Sequence, residues 1–191
     1  MSEGTTEPMV IGIKGTLPHT QQILHYTCVP HCLWMVIEKI KLTIPQNNIK
    51  FWTVQEIVDI VKSNPHLATS YENIKFINEE LKKYSPILEF EPNYNFKWND
   101  IVSELKENRP VIAYLKNNAQ YRVAHAVIVT NYNKEKDEVT YNDPKHGKKT
   151  IYIADFMGYW DNAANVLYPV KVGKVIQTHI DDITEGRVSD E

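Results

Sequence analysis

The sequence predicts an α+β domain in which a helical first half packs on a mainly antiparallel sheet formed by the second half. Two observations carry this. Apolar residues recur at helical spacing up to about residue 107, and after Pro110 they fall into short strand-length blocks separated by polar turns. The chain also has 191 residues, 42% of them hydrophobic, enough to bury one sizeable core. The expected organisation is one domain over residues 1–176 and a polar, acidic tail over residues 177–191.

Met9-Val-Ile-Gly-Ile13 reads as an edge strand, followed by a turn at Leu17-Pro18. The first helix begins near Cys28, tolerates Pro30 in its first turn and ends near Lys41, before Pro45. Leu33, Val36, Ile37 and Ile40 form its core stripe. Thr53 and Glu56 have the spacing of a capping box, opening a second helix with Ile57, Ile60 and Val61 inward. A third helix is expected over Tyr71–Tyr84 through Ile74, Ile77 and Leu81, and a fourth over Asn99–Glu107 through Ile101, Val102 and Leu105. Between them, Pro86 to Lys97 reads as an aromatic loop region, with Phe90, Tyr94 and Phe96, expected to border the cleft. Strands follow at Val111–Leu115, Ala124–Thr130, Glu138–Asn142 and Thr150–Ile153. A short helical piece at Asp155–Trp160 and a last strand at Asn165–Val172 complete the order.

Several function classes are excluded. Net charge is −3 and the basic residues are scattered, so no nucleic-acid partner is expected. No apolar run approaches the roughly 20 residues of a membrane span. The N-terminus, Met-Ser-Glu-Gly-Thr-Thr-Glu-Pro, lacks the basic start and apolar stretch of a signal peptide, so the expected location is cytoplasmic. There the two cysteines, Cys28 and Cys32, would be reduced thiols.

The chemistry centres on Cys28. A thiol attacks as its thiolate, which a helix N-terminus stabilises through unpaired N–H groups and the macrodipole. Acyl transfer also needs donors for the developing oxyanion. The Cys28 N–H is one candidate; the Gln22 amide, six residues upstream, is the other, with Gln21 as fallback. His125 lies inside an apolar strand, where an imidazole costs free energy unless partnered. Asn133-Lys-Glu-Lys-Asp137 is a charged connection between two strands. A hairpin centred near residue 134 sets Asp143 opposite His125; one centred a residue later sets the two on a close diagonal, within about 7–8 Å. Asp143 thus becomes the group that would orient the base. Asn142-Asp-Pro144 is also a turn signal, and both roles can hold together.

The order Gln, Cys at a helix start, His on a strand and Asp before Pro resembles the papain-like cysteine peptidases. It most resembles the bacteriocin-processing, double-glycine leader peptidase family in free-standing form. The Gln22 to Cys28 spacing matches that family's oxyanion glutamine and nucleophile. Cys28-Val-Pro-His-Cys-Leu-Trp-Met35 resembles its Cys-Gly-x-x-Cys-Leu-x-Met helix. Asn108-Arg-Pro-Val-Ile-Ala113 resembles its strand entry, Ala124-His-Ala-Val-Ile-Val129 its base strand and Asn142-Asp-Pro144 its orienter. Phe156 and Trp160 resemble the Phe and Trp that follow. The resemblance runs from about Leu17 to Val170. Thr27 and Val29 depart from it, standing where the family usually has Asp or Asn and Gly. The resemblance implies a papain-like fold, acyl transfer from a peptide or amide to the Cys28 thiolate, a peptide or protein substrate, and no cofactor or metal.

Two other readings compete. His25, Cys28, His31 and Cys32 form a local cluster, although a closed zinc site gathers ligands from two separated pairs. Cys32, one turn into the helix, reads as a buried apolar residue. His19, His66, His146 and His179 read as surface residues, with His146-Gly147 able to line the cleft. A non-catalytic papain-like module that binds peptides is the remaining reading, and it has no need of all four groups.

Overall fold

The helices form where the apolar spacing placed them. A computed structural model describes residues 9–43, 50–66, 68–70, 73–84, 88–116 and 125–169. Helix α1 (Cys28–Thr43) begins at the thiol itself. Its apolar surface is wider than the expected stripe: Cys32, Leu33, Met35 and Val36 are all fully buried. Each such aliphatic side chain contributes roughly 1.5–3 kcal/mol. Helix α2 (Val54–Ile60) is opened by the expected capping box. Thr53 Oγ1 accepts from the Glu56 N–H at 3.2 Å, and the Glu56 carboxylate accepts from the Thr53 N–H at 2.8 Å. Helix α3 (Ile74–Tyr84) turns Ile74, Ile77 and Leu81 inward. Helix α4 (Trp98–Lys106) buries Ile101 and Leu105. Just past its C-cap, Asn108 has φ 61°, the left-handed conformation that asparagine tolerates at a helix stop.

Strands β1 (Val10–Gly12), β2 (Leu88–Asn93), β3 (Val111–Leu115), β4 (His125–Asn133), β5 (Glu138–Asp143), β6 (Gly147–Tyr152) and β7 (Trp160–Pro169) make one sheet, with α5 (Ile153–Tyr159) between the last two. The order is β2-β7-β3-β4-β5-β6, with β1 paired to the far end of β4, and every pairing is antiparallel. Helices α1–α3 pack on one face, over Ile112, Tyr114, Ala126 and Ile128. Helices α4 and α5 cover the other, over Val111, Ala113, Val127, Val129 and Tyr141. Ala124, Tyr71, Pro45, Val170–Val172, His179 and the tail at 177–191 lie outside the described residues.

Strand β2 corrects the loop expected at Pro86–Lys97. Leu88 and Phe90 are 1% exposed and alternate with the outward Glu89 and Glu91. Asn78 of α3 binds the Phe90 backbone at both ends, donating to its carbonyl and accepting from its N–H at 2.8 Å each. Pro92 is tolerated because β2 is an edge strand. It sits beyond β7 and β3 from β4, the strand that carries His125, so it does not border His125.

The β4–β5 pairing contains the feature on which the site depends. Near the turn the register is Asn133↔Glu138, Tyr132↔Val139 and Asn131↔Thr140. Beyond a bulge at Thr130 it becomes Val129↔Tyr141 and Ile128↔Asn142. Continued unbroken, the first register would set Asp143 beside Ile128, on the sheet face away from His125. The extra residue moves it opposite Val127, on the face His125 shares. The bulge is held from two sides. The Thr130 carbonyl accepts the Ile13 N–H at 2.9 Å, and its hydroxyl donates to Thr140 O at 3.2 Å. Gly12 lies against it so closely that a Cβ there would come within 2.1 Å of the Asn131 side chain.

Candidate active site

At the end of the sheet, the N-terminus of α1 meets the first residue of β4. His125 is 5% exposed and Asp143 fully buried. Their relation is the diagonal one, and the imidazole Nε2 lies 2.9 Å from Asp143 Oδ1. The Cys28 thiol hydrogen-bonds the same imidazole. Since Nε2 is committed to Asp143, Nδ1 is the nitrogen left for sulfur. Burial pushes the His125 pKa down. Hydrogen bonds to Asp143 and Cys28, and the negative charge of both, outweigh burial and lift it to about 9. Cys28, His125 and Asp143 therefore form one continuous chain of polar contacts.

Asp143 occupies an inward position by simple alternation, following Val139 and Tyr141 along β5. Its Oδ1 also accepts the N–H groups of Lys145 at 2.8 Å and His146 at 3.2 Å, so the turn expected at Asn142-Asp-Pro144 is built on the same carboxylate. The turn is docked on the segment before α1. The Gln22 N–H donates to Pro144 O at 2.7 Å, and Gln21 Nε2 to Lys145 O at 2.8 Å.

Of the two glutamines, Gln21 is exposed and Gln22 is buried. Gln22 Nε2 donates to Leu24 O at 2.7 Å, which fixes the amide's orientation because a flip would set two oxygens together. One amide hydrogen remains, and Oε1 has no partner among the described residues. Val29, where the resembled family has glycine, is 4% exposed and packs in the core between α1–α3 and the sheet.

The neighbouring residues of α1 have other tasks. Cys32 is fully buried, and burial first, with the nearby Cys28 and Asp143 adding to it, pushes its thiol well above the ordinary range. His31 is 7% exposed, with Nδ1 2.7 Å from Thr27 O and a further hydrogen bond to the Gln21 backbone. It clasps the Gln21–Thr27 segment to the helix. His25 is exposed and meets Tyr26 edge-on. Among the described residues, no three His, Cys, Asp or Glu side chains gather as metal ligands. No described helix is long and apolar enough to cross a membrane. His146 lies at the surface, as expected, and is also bonded to Asp143 Oδ2 through Nδ1 at 2.8 Å, with Lys149 Nζ 3.4 Å from the same oxygen. Its sequence signal was its place three residues after an inward-pointing carboxylate.

Residues 15–168 match the model of the Peptidase_C39 like family. The chain belongs to that family. Two solved structures share its fold. One is the peptidase domain of Streptococcus ComA, a bi-functional ABC transporter involved in quorum sensing. It is 17% identical with a TM-score of 0.60, over 81% of this chain and 99% of that one. The other is a double glycine motif protease from an AMS/PCAT transporter, in complex with the leader peptide. It is 15% identical with a TM-score of 0.59, over 83% of this chain and 98% of that one. No curated protein sequence matches the chain. Membership of this peptidase family and the papain-like fold agree with the resemblance read from the Gln, Cys, His and Asp motifs.

Proposed function

We propose that this chain is a thiol hydrolase of peptide or amide bonds, working through a covalent acyl-enzyme. The observation that carries the reading is the unbroken Cys28–His125–Asp143 chain with a buried carboxylate at its end. In the first step, with His125 already holding the proton, the Cys28 thiolate attacks the carbonyl carbon. The Cys28 N–H, one of the first-turn donors of α1 without an intrahelical acceptor, and the remaining Gln22 amide hydrogen receive the oxyanion. The His125 imidazolium then protonates the leaving amine as the C–N bond breaks. A thioester remains. His125 next deprotonates a water, which attacks the thioester and releases the acid and the thiol. Asp143 holds the imidazole and stabilises its charged form throughout.

The substrate class is a peptide, a reading supported by the family and by the related protease bound to a leader peptide. Protease, amidase, isopeptidase and transpeptidase share these groups. The deciding experiment is a peptide-library screen beside covalent capture by an acyl-electrophile probe, with Cys28→Ala as control. Capture lost in Cys28→Ala, with turnover of at least one peptide class, is expected. Peptide binding with neither capture nor turnover would turn the reading to a non-catalytic module.

A further inference from the structure

Asp143 is gripped by more than the groups the proposed reaction uses. An aspartate's terminal torsion is soft, so one hydrogen bond to His125 does not fix the plane of the carboxylate. His146 binds both oxygens. Its backbone N–H donates to Oδ1 at 3.2 Å and its ring Nδ1–H to Oδ2 at 2.8 Å. Lys149 Nζ approaches Oδ2 from β6 at 3.4 Å. The His146 side chain is 37% exposed, so the ring spans from solvent to a fully buried carboxylate. Pro144 and Lys145, in the same turn, hold Gln22 and Gln21.

We propose that His146 is a positioning residue for the thiol–imidazole pair. It fixes the plane of the Asp143 carboxylate so that one oxygen stays aimed at His125, and it does so from a turn that is also tied to the segment carrying Gln22. The inference rests on Cys28 being the nucleophile. It assigns the second imidazole on Asp143 an indirect role, through Asp143 on β5 and His125 on β4, with the Lys149 ammonium as the other charged group at the cluster.

The test is the rate of Cys28 alkylation by iodoacetamide as a function of pH, which needs no known substrate. At pH 6, His146→Ala is expected to lower the rate about ten-fold, as loss of one charge-assisted hydrogen bond implies, and to move the rate–pH curve toward higher pH. His146→Asn sets an N–H near the place of Nδ1–H and is expected to restore the rate to within about three-fold of wild type. Thermal melts show whether each variant is folded. A wild-type curve in both variants, or a loss in His146→Ala that Asn leaves unrepaired at equal stability, would overturn the assignment. Slow wild-type labelling, equal to that of Cys32, would instead sink the nucleophile reading and His146's role with it. Fast wild-type labelling unaffected by His146→Ala would remove only the His146 assignment.

Discussion

His125 at the start of β4 and His31 in the first turn of α1 are buried almost equally, at 5% and 7% exposure. Their basicities move in opposite directions. Burial lowers His31, and its partners, carbonyl oxygens of Thr27 and Gln21, are too weak to reverse that. Burial also lowers His125, but a carboxylate and a thiol that can carry negative charge more than reverse it. Burial alone thus makes a histidine a neutral clasp; burial beside anions makes it a base that keeps its proton. The two buried rings therefore do different work.

Replacing each ring by alanine is the harshest way to break this contrast. In His125→Ala, covalent capture at Cys28 is expected to fall about a thousand-fold, within the usual range for losing a general base. In His31→Ala, capture persists and the loss is in folding stability, about 1–2 kcal/mol for a buried hydrogen-bonding clasp. Capture rates beside thermal melts decide it; equal loss of capture in both would show that the histidines were wrongly separated.

The anionic half of the contrast rests on Asp143. Asp143→Asn keeps a polar partner but removes its charge. Losing about 2–3 kcal/mol of charged hydrogen bonding lowers the capture rate about 30- to 150-fold. Deleting Thr130 is the milder change for the site. It removes the extra residue, joins the two registers into one continuous ladder and leaves Asp143 opposite Val127. Capture is expected to persist, with a stability loss of about 1–2 kcal/mol from the Thr130 bonds to Ile13 and Thr140. A deletion variant that stays folded by near-ultraviolet circular dichroism yet no longer captures would refute this account of the bulge.

These residues differ in how far the sequence alone reveals them. The Thr53–Glu56 box, the start of α1 at Cys28 and the inward alternation of Val139, Tyr141 and Asp143 are local patterns, and each was readable. The pairing of His125 with Asp143 was readable only as two alternatives, because β4 is apolar on both faces from Ala126 to Val129. Without alternation, nothing in that run shows the bulge that chooses between them. Strand β2 does alternate, as Leu88-Glu-Phe-Glu91, but Pro92 and the flanking polar residues masked it. His146 resembles any polar turn residue: its partner Asp143 is only three residues away, but that spacing becomes a signal only once the carboxylate is known to point inward.

Activity against pH sharpens the contrast more gently. The thiolate–imidazolium pair is lost as His125 deprotonates, so turnover is expected to decline above about pH 9. In Asp143→Asn one of the groups that raise His125 is gone, and the decline begins at lower pH. An alkaline limb that stays in place in Asp143→Asn would show that Asp143 does not support the charged ring.

The smallest effect is on stability, and its sign differs between the two histidines. The folded state raises His125 from 6.5 to about 9, so it holds a proton that the unfolded chain releases. Its contribution is complete below pH 6.5 and is lost as pH rises toward 9. The folded state lowers His31, so the unfolded chain binds the extra proton, and stability is lost as pH falls below 6.5. Each slope can approach about 1.4 kcal/mol per pH unit. The raised Cys32 thiol steepens the alkaline loss only above its ordinary value of 9.0. The window from 6.5 to 8 is therefore where His125 acts. Melting temperatures of His125→Gln should be flatter than wild type in that window, and those of His31→Asn flatter between pH 5 and 6.5. If both variants flatten the same limb, the two buried rings do not titrate in opposite directions, and the division of labour around Cys28 fails at its physical root.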